Sequence, residues 1–387
     1  MRTATTSQTR NRPYDIPALY MAFELGEGNW KIGFTTGFGQ QPRLRTIPSR
    51  DLAALACEIQ AARRRFRVSA EAPVRSCYEA GRDGFWLHRW LLECEIDNLV
   101  VDSSSIEVSR RKRRAKTDRL DAGSLLRLLQ RYFGGERRVW SVVHVPTPED
   151  EDRRHLHREL MDLKRERTRL SNRIQGLLSS QGIRLPLHVD FICRIDDLRI
   201  WDGSPLPPDL QARITGTWER ACTLRSRINA LETAQRQQIR AGNDPVLDQV
   251  RQLASLRGIG VRSAWLFTME FFAWRRFQNR RQVGGLAGLT PTPHQSGDTN
   301  RDLGISKAGN RLVRMVAVEI AWSWLRRQPE SELARWYNAK FGHGSSRLRR
   351  IGIVALARKL LIELWRYLET GIPPAGAQFK TGEAQCQ

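Results

Sequence analysis

Asp118 and Asp121 stand three residues apart in Lys116-Thr117-Asp118-Arg119-Leu120-Asp121-Ala122, where an apolar-periodic helix begins with Leu125, Leu126, Leu128 and Leu129. On a helix, positions i and i+3 share a face, so the two carboxylates project side by side. Arg110, Arg111, Lys112, Arg113 and Arg114 form an unbroken run of cations just before them, with Lys116 next. Two acids able to hold a divalent metal, beside a strip able to hold phosphate, point to metal-dependent chemistry on nucleic acid. The plainer alternative is a surface helix whose first-turn acids suit its dipole.

The segments before this helix would position its acids. Ala18 to Glu24 reads as a strand, Asn29 to Thr35 as its hairpin partner and Arg43 to Ile47 as a third strand. Asp51 can cap a helix running to Phe66, with Leu52, Leu55, Ile59 and Ala62 on one face. Val74 to Glu79 and Asn98 to Val101 read as strands on either side of a helix over Gly84 to Cys94. Val139 to Val145 reads as a further strand after the Asp118 helix. Three strands, helix, strand, helix, strand, helix is the order of a ribonuclease-H-like α/β domain. In that fold, acids come from the ends of central strands and from a later helix. Glu24 ends the first strand and Glu79 the fourth, so Glu24, Glu79, Asp118 and Asp121 would converge at one edge of the sheet. For either glutamate alone, a solvated strand end is the alternative.

The pattern then changes. Leu156, Leu160, Leu163, Leu170, Ile174 and Leu177 follow a four-three spacing, which returns in Leu210, Ile214, Thr217, Ala221, Leu224, Ile228 and Leu231 after a loop from Gly182 to Pro208. Two heptad-type helices around a loop predict an antiparallel coiled coil, or a helical arm that pairs between protomers. His155 and His157 sit in this charged run and read as part of a solvated face.

Leu256-Arg257-Gly258-Ile259-Gly260 lies between two helical segments. Gly-hydrophobe-Gly between helices marks a helix-hairpin-helix, whose turn offers backbone N–H groups to phosphate through Gly258 and Gly260. A loop containing Gln295-Ser296-Gly297-Asp298 follows and ends at Ile305-Ser306-Lys307-Ala308-Gly309-Asn310. Ser296 has glycine beside it, which lets a large substrate approach its hydroxyl; a plain turn serine is the alternative. His294 could serve as a base or be an ordinary loop histidine. Trp322, Trp324, Trp336 and Trp365 fall at helical positions and read as core. Residues 346–369 read as a last basic helix. The chain thus divides into a flexible basic tail (1–17), a catalytic domain (18–146), a coiled-coil region (147–245), a mainly α C-terminal domain (246–370) and a disordered tail (371–387).

Bulk composition agrees with a polyanionic partner. The 387 residues carry 64 basic and 41 acidic side chains, a net charge of +23. No apolar run approaches the ~20 residues of a membrane-spanning helix, and Met1 to Arg12 lacks a signal-peptide core. Six cysteines without CxxC spacing indicate neither a zinc site nor a disulfide framework, which fits a reducing cytoplasm.

Two blocks of residues resemble the transposases of the insertion-sequence 110 family. One is Glu24, Tyr78-Glu79-Ala80 and Lys116-Thr117-Asp118-x-x-Asp121-Ala122. The other is Leu256-x-Gly258-Ile259-Gly260, Gly285-Leu286-Ala287-Gly288-Leu289-Thr290-Pro291, Ser296-Gly297 and Ile305-Ser306-Lys307-Ala308-Gly309-Asn310. With the heptad region between them, the resemblance spans about residues 18–370. It implies an N-terminal domain similar to Holliday-junction resolvases whose acids bind Mg²⁺ (or Mn²⁺), and a serine nucleophile, by position Ser296. It further implies that donor and target DNA are joined with an element-encoded non-coding guide RNA, by dimers to tetramers that exchange coiled coils and compose a site from two chains. Such a protein would work in the bacterial cytoplasm at the nucleoid. The first acid of the family is commonly aspartate; here it is Glu24, one methylene longer. Two other classes remain open: a metal-dependent branched-DNA nuclease in which Ser296 is irrelevant, and a catalytically silent RNA-binding protein.

Overall fold

The computed structural model describes residues 18–106, 118–296 and 299–380; for residues 104, 118–121, 293–296 and 299–303 it describes the backbone alone. The basic strip Arg110 to Lys116 lies outside the described residues. The chain divides into two units, one ending at Val145 and one starting at Pro146.

Alternating side chains build the first unit. Its elements are β1 (Leu19–Leu25), β2 (Asn29–Thr35), β3 (Arg43–Pro48), α1 (Leu52–Phe66), β4 (Val74–Glu79), α2 (Trp86–Glu93), β5 (Ile96–Val101) and α3 (Asp118–Phe133). The sheet order is β3-β2-β1-β4-β5, with β1–β2 and β2–β3 antiparallel and β1–β4 and β4–β5 parallel. Along β1, Leu19, Met21 and Phe23 enter a core with Leu55, Ile59 and Ala62 of α1 and Leu87 and Leu91 of α2. Ala18, Tyr20 and Ala22 enter a second core with Leu125, Leu126, Leu128 and Leu129 of α3. A strand period of two therefore feeds two layers, one on each face of the sheet. Asp51 caps α1 as its sequence predicts, accepting from Ala54 N at 2.8 Å.

The strand expected over 139–145 is reduced to a single bridge between Val101 and Val142. Val139 and Trp140 pack into the α3-side core, whereas Val143 and Val145 pack on the opposite one. The segment crosses the β5 edge instead of running along it.

The second unit is mostly helical: α4 (Pro148–Asp152), α5 (His155–Ser179), α6 (Pro208–Arg240), α7 (Pro245–Ser255), α8 (Val261–Phe267) with a π turn at Thr268–Phe272, α9 (Arg280–Leu286), α10 (Arg311–Arg327), α11 (Glu332–Tyr337) and α12 (Ser346–Thr370). Two strands, β6 (Pro291–Ser296) and β7 (Thr299–Ile305), form an antiparallel hairpin. α6 runs back along α5. Ile174 and Leu178, late in α5, pack with Ile214 and Trp218, early in α6. At the other end Arg227 pairs with Glu159, and Lys164 with Glu232. The buried positions of α6, including Ile214, Thr217, Ala221 and Ile228, keep the expected spacing.

Among the tryptophans expected in the core, Trp324 is fully buried, but Trp322 is exposed. The buried face of α10 runs through Val313, Val316, Ala317, Ile320, Ala321 and Trp324, and position 322 falls on the opposite side. The segment from Gly371 was expected to be disordered, yet its residues to Lys380 are tied into the unit. Arg257 N donates to Gln378 O at 3.0 Å, Lys380 N to Ser255 O at 2.9 Å, and Leu256 bridges Phe379. Buried Gln328 explains why: its amide donates to Arg257 O and Gln378 O and accepts from Gln378 N. Bonding to both segments at once satisfies a buried amide that neither could satisfy alone.

Candidate functional site

Strand register decides where the acids of the first unit lie. β1 and β4 are parallel neighbours with Phe23 opposite Tyr78, so Glu24 and Glu79 each come one step later, side by side at the carboxyl ends of central strands. Phe23 and Tyr78 belong to the α1–α2 core. Alternation therefore turns Glu24 and Glu79 to the other face, the one α3 covers. Electrostatics agrees for Glu79. Burial pushes the Cys77 thiol well above its ordinary range, and the negative charge of Glu79 pushes it further. Cys77 is in the α3-side core.

The direction of α3 follows from its last residues. Phe133 lies 6.4 Å from the Tyr20 ring, and the Arg75 guanidinium sits 4.4 Å over Phe133. Tyr20 and Arg75 are near the starts of β1 and β4, so the first turn of α3, with Asp118 and Asp121, lies toward their carboxyl ends. All four acid positions thus come to the same end of the same sheet face. For Asp118 and Asp121 this is a statement about backbone. Among the described residues no cluster of three or more His, Cys, Asp or Glu could hold a metal.

Ser296 is placed differently from the sequence reading. The expected loop is the β6–β7 hairpin, and Ser296 is the last residue of β6, in register with Thr299. Pro291 and Pro293 are tolerated because both strands of a two-stranded hairpin are edges, and the register shifts between them. The base of the hairpin is locked by the two glycine motifs. Gly288 has φ +67° and Gly309 φ +92°. A Cβ on Gly288 would lie 2.0 Å from Ala308 O, and one on Gly309 would lie 2.0 Å from Leu286 O. No side chain fits at either contact, so backbone meets backbone. Ser306 N donates to Thr290 O at 2.8 Å, Lys307 N to Gly288 O at 3.2 Å and Asn310 N to Leu286 O at 3.1 Å. Lys307 itself has φ +56° and is exposed.

The turn from Leu256 to Gly260 joins α7 to α8 as expected. Gly258 O accepts from Ser323 Oγ at 2.8 Å, and Gly260 is the N-cap of α8. The Lys380 ammonium donates to Ala254 O and Ile259 O, holding the turn from beneath. Exposed Arg257 and Arg262 flank it.

One cluster escaped the sequence reading. Glu270, in the π turn after α8, is 1% exposed. Its Oε1 accepts from His157 Nε2 at 2.9 Å and Arg158 Nε at 2.7 Å; its Oε2 accepts from an Arg158 terminal nitrogen at 2.9 Å and Asn310 Nδ2 at 3.3 Å. Burial alone would raise this carboxyl, but the hydrogen bonds from His157 and Arg158 and the Arg158 charge outweigh it and hold it down at about 2. His157 is buried, not on a solvated face. The available signal was one acid inside the apolar run Phe267-Thr268-Met269-Glu270-Phe271-Phe272.

Among the described residues no helix is long and apolar enough to cross a membrane. Residues 250–335 match the family described as Transposase IS116/IS110/IS902 family. The chain is similar to the protein named "Putative transposase y4rJ" of Sinorhizobium fredii, 40% identical over 380 residues, or 95% of this chain and 96% of that one. It is 26% identical over 228 residues to "Transposase for insertion sequence element IS1328" of Yersinia enterocolitica, or 58% of this chain and 65% of that one. It is 24% identical over 257 residues to "Transposase for insertion sequence element IS1111A" of Coxiella burnetii, or 65% and 66%. A match at 40% identity over nearly the whole length of both chains, with the family's own segment lying across the α7–α8 turn and the serine hairpin, means that this chain belongs to the IS116/IS110/IS902 family of insertion-sequence transposases.

Proposed function

We propose that this transposase cuts and rejoins donor and target DNA through a covalent link to Ser296, assisted by Mg²⁺ and directed by a non-coding guide RNA. The observation that carries the reading is the place of Ser296 at the end of β6, on a hairpin whose base is clamped backbone to backbone. A rigid base holds a nucleophile at a repeatable distance from a large substrate.

Strand exchange without a high-energy cofactor requires the phosphodiester energy to be kept. Ser296 Oγ attacks a DNA phosphorus, the P–O3′ bond breaks, and the departing 3′ oxygen takes up a proton. The strand's 5′ phosphate is then esterified to the serine. The 3′ hydroxyl of another strand later attacks the same phosphorus, and Ser296 leaves and regains its proton. Glu24, Glu79, Asp118 and Asp121 offer only hard oxygen donors, which suit Mg²⁺ or Mn²⁺. When bound, the ion would supply charge stabilisation to the transferring phosphate.

The strand order β3-β2-β1-β4-β5, with its antiparallel first three strands, supports reading the first unit as ribonuclease-H-like and related to Holliday-junction resolvases. The antiparallel α5–α6 pair supports a coiled-coil arm exchanged within a dimer or tetramer. Arg110 to Lys116, Gly258, Gly260 and Lys307 would hold nucleic-acid backbone, and sequence choice would come mainly from RNA pairing.

The test incubates the full chain with Mg²⁺, RNA transcribed from the element's flanks and labelled DNA from its ends. A denaturing gel should show a protease-sensitive shifted band, absent in Ser296→Ala and Asp121→Ala. Cleavage without that band, surviving Ser296→Ala, would replace this reading with a metal-dependent nuclease.

A further inference from the structure

Glu270 is the only buried carboxylate among the residues whose side chains are described. The ionised network stabilises the fold once it is built, but stability alone does not call for a buried charge, because well-packed apolar side chains can often replace a buried ion pair at no loss. Its partners supply another account, since they come from three separate segments. His157 and Arg158 belong to the root of α5, Glu270 to the π turn, and Asn310 to the loop between β7 and α10. We infer that Glu270 is a positioning residue that sets the Ser296 hairpin and ties it to the α5–α6 arm. The inference rests on the reading of Ser296 as nucleophile.

Asn310 is the link. Its Nδ2 donates to Glu270, while its Oδ1 accepts from Leu312 N at 2.9 Å and Val313 N at 3.2 Å and so caps α10. A carboxylate can only accept, so it fixes which way the amide faces. Asn310 N donates to Leu286 O, the same carbonyl that closes against Gly309. Glu270 therefore holds the residue that holds the hairpin base. On the arm side the joint is looser. The Arg158 side chain is 47% exposed, and a cavity of about 250 Å³ opens beside it, lined by Met161, Asp162, Arg165 and Asn310 among others. Arg158 can leave and return without unpacking the core, so a shift of the arm changes the support of the hairpin.

The experiment compares the full chain with Glu270→Gln, Arg158→Gln and the double variant. It uses labelled duplex DNA from the element's ends and RNA from its flanks. Three quantities are read: the single-turnover rate of adduct formation, DNA affinity, and backbone hydrogen exchange over 288–310. In Glu270→Gln the adduct rate should fall by about tenfold or more, with affinity within about twofold and faster exchange in 288–310. Arg158→Gln should move rate and exchange the same way by less, and the double variant should be no worse than Glu270→Gln. Hairpin exchange unchanged in both single variants would overturn the inference. So would exchange that rises throughout the second unit in Glu270→Gln while Arg158→Gln is silent, since that marks a merely structural charge. If Ser296→Ala still forms adduct, the nucleophile reading fails, and the exchange data still decide whether Glu270 sets the hairpin.

Discussion

Glu24 and Glu79 come together by strand register alone: two parallel neighbours in mid-sheet end at the same level, and alternation turns both to one face. Ser296 is held by other means. Its hairpin belongs to a mainly helical unit and depends on two left-handed glycines and one buried carboxylate network. A sheet edge distributes its support over many ladder hydrogen bonds, so single changes near it are absorbed. The hairpin base concentrates support in a few contacts, two of which leave no room for a Cβ. The second unit should therefore be the more brittle of the two.

The largest contrast is expected between two glycines. Gly309→Ala puts a Cβ 2.0 Å from Leu286 O at φ +92° and should cost roughly 3–5 kcal/mol in urea unfolding followed by circular dichroism. Gly28→Ala, in the β1–β2 turn with nothing within 4 Å of the added Cβ, should change stability by about 0.5 kcal/mol or less. Similar losses for the two would break the comparison.

Acid should expose the difference next. The Glu270 carboxyl is depressed from the ordinary 4.5 to about 2. Its stabilising contribution is thus fully present above pH 4.5 and lost as pH falls from there toward 2, on the order of 3 kcal/mol in all. The pH dependence of unfolding in Glu270→Gln should be flatter by that amount across the window. A curve parallel to the parent would show that the network carries no charge-dependent stability.

A smaller effect is expected at the α7–α8 turn. Lys380→Met keeps the aliphatic stem but removes the donor to Ala254 O and Ile259 O, at about 1 kcal/mol. Hydrogen exchange should rise over 256–260 and not in the sheet of the first unit. Unchanged exchange there would mean that the Gln328 amide and the backbone bonds to Ser255 and Arg257 hold the C-terminal segment without the ammonium.

The same difference in support explains what could be read from sequence. Alternation along Leu19 to Phe23, the Asp51 cap and the spacing of Ile214, Thr217, Ala221 and Ile228 are local signals, and each corresponds to an observed element or buried face. The meeting of Glu24 with Glu79 needed only strand ends. The hairpin was obscured because Pro291 and Pro293 argue against a strand unless its edges are free. Both glycine motifs were visible, but not their contact, which is made across the whole hairpin. Glu270 finds Arg158 112 residues away and Asn310 40 residues away, and no periodicity reports such a pairing. The stretch from Gly371 to Lys380 carries no local signal of order; its order comes from bonds to Gln328, 50 residues before Gln378, and to Ser255 and Arg257.

The most direct measurement is the mass of the peptide that retains DNA. After reaction, nuclease digestion and trypsin, the peptide spanning 282–301 should carry a nucleotide phosphate. Its single serine is Ser296, beside three threonines, and fragmentation should place the added mass on Ser296. A modified Thr290, Thr292 or Thr299, or an unmodified peptide from a reaction that has cut and rejoined DNA, would contradict the serine mechanism.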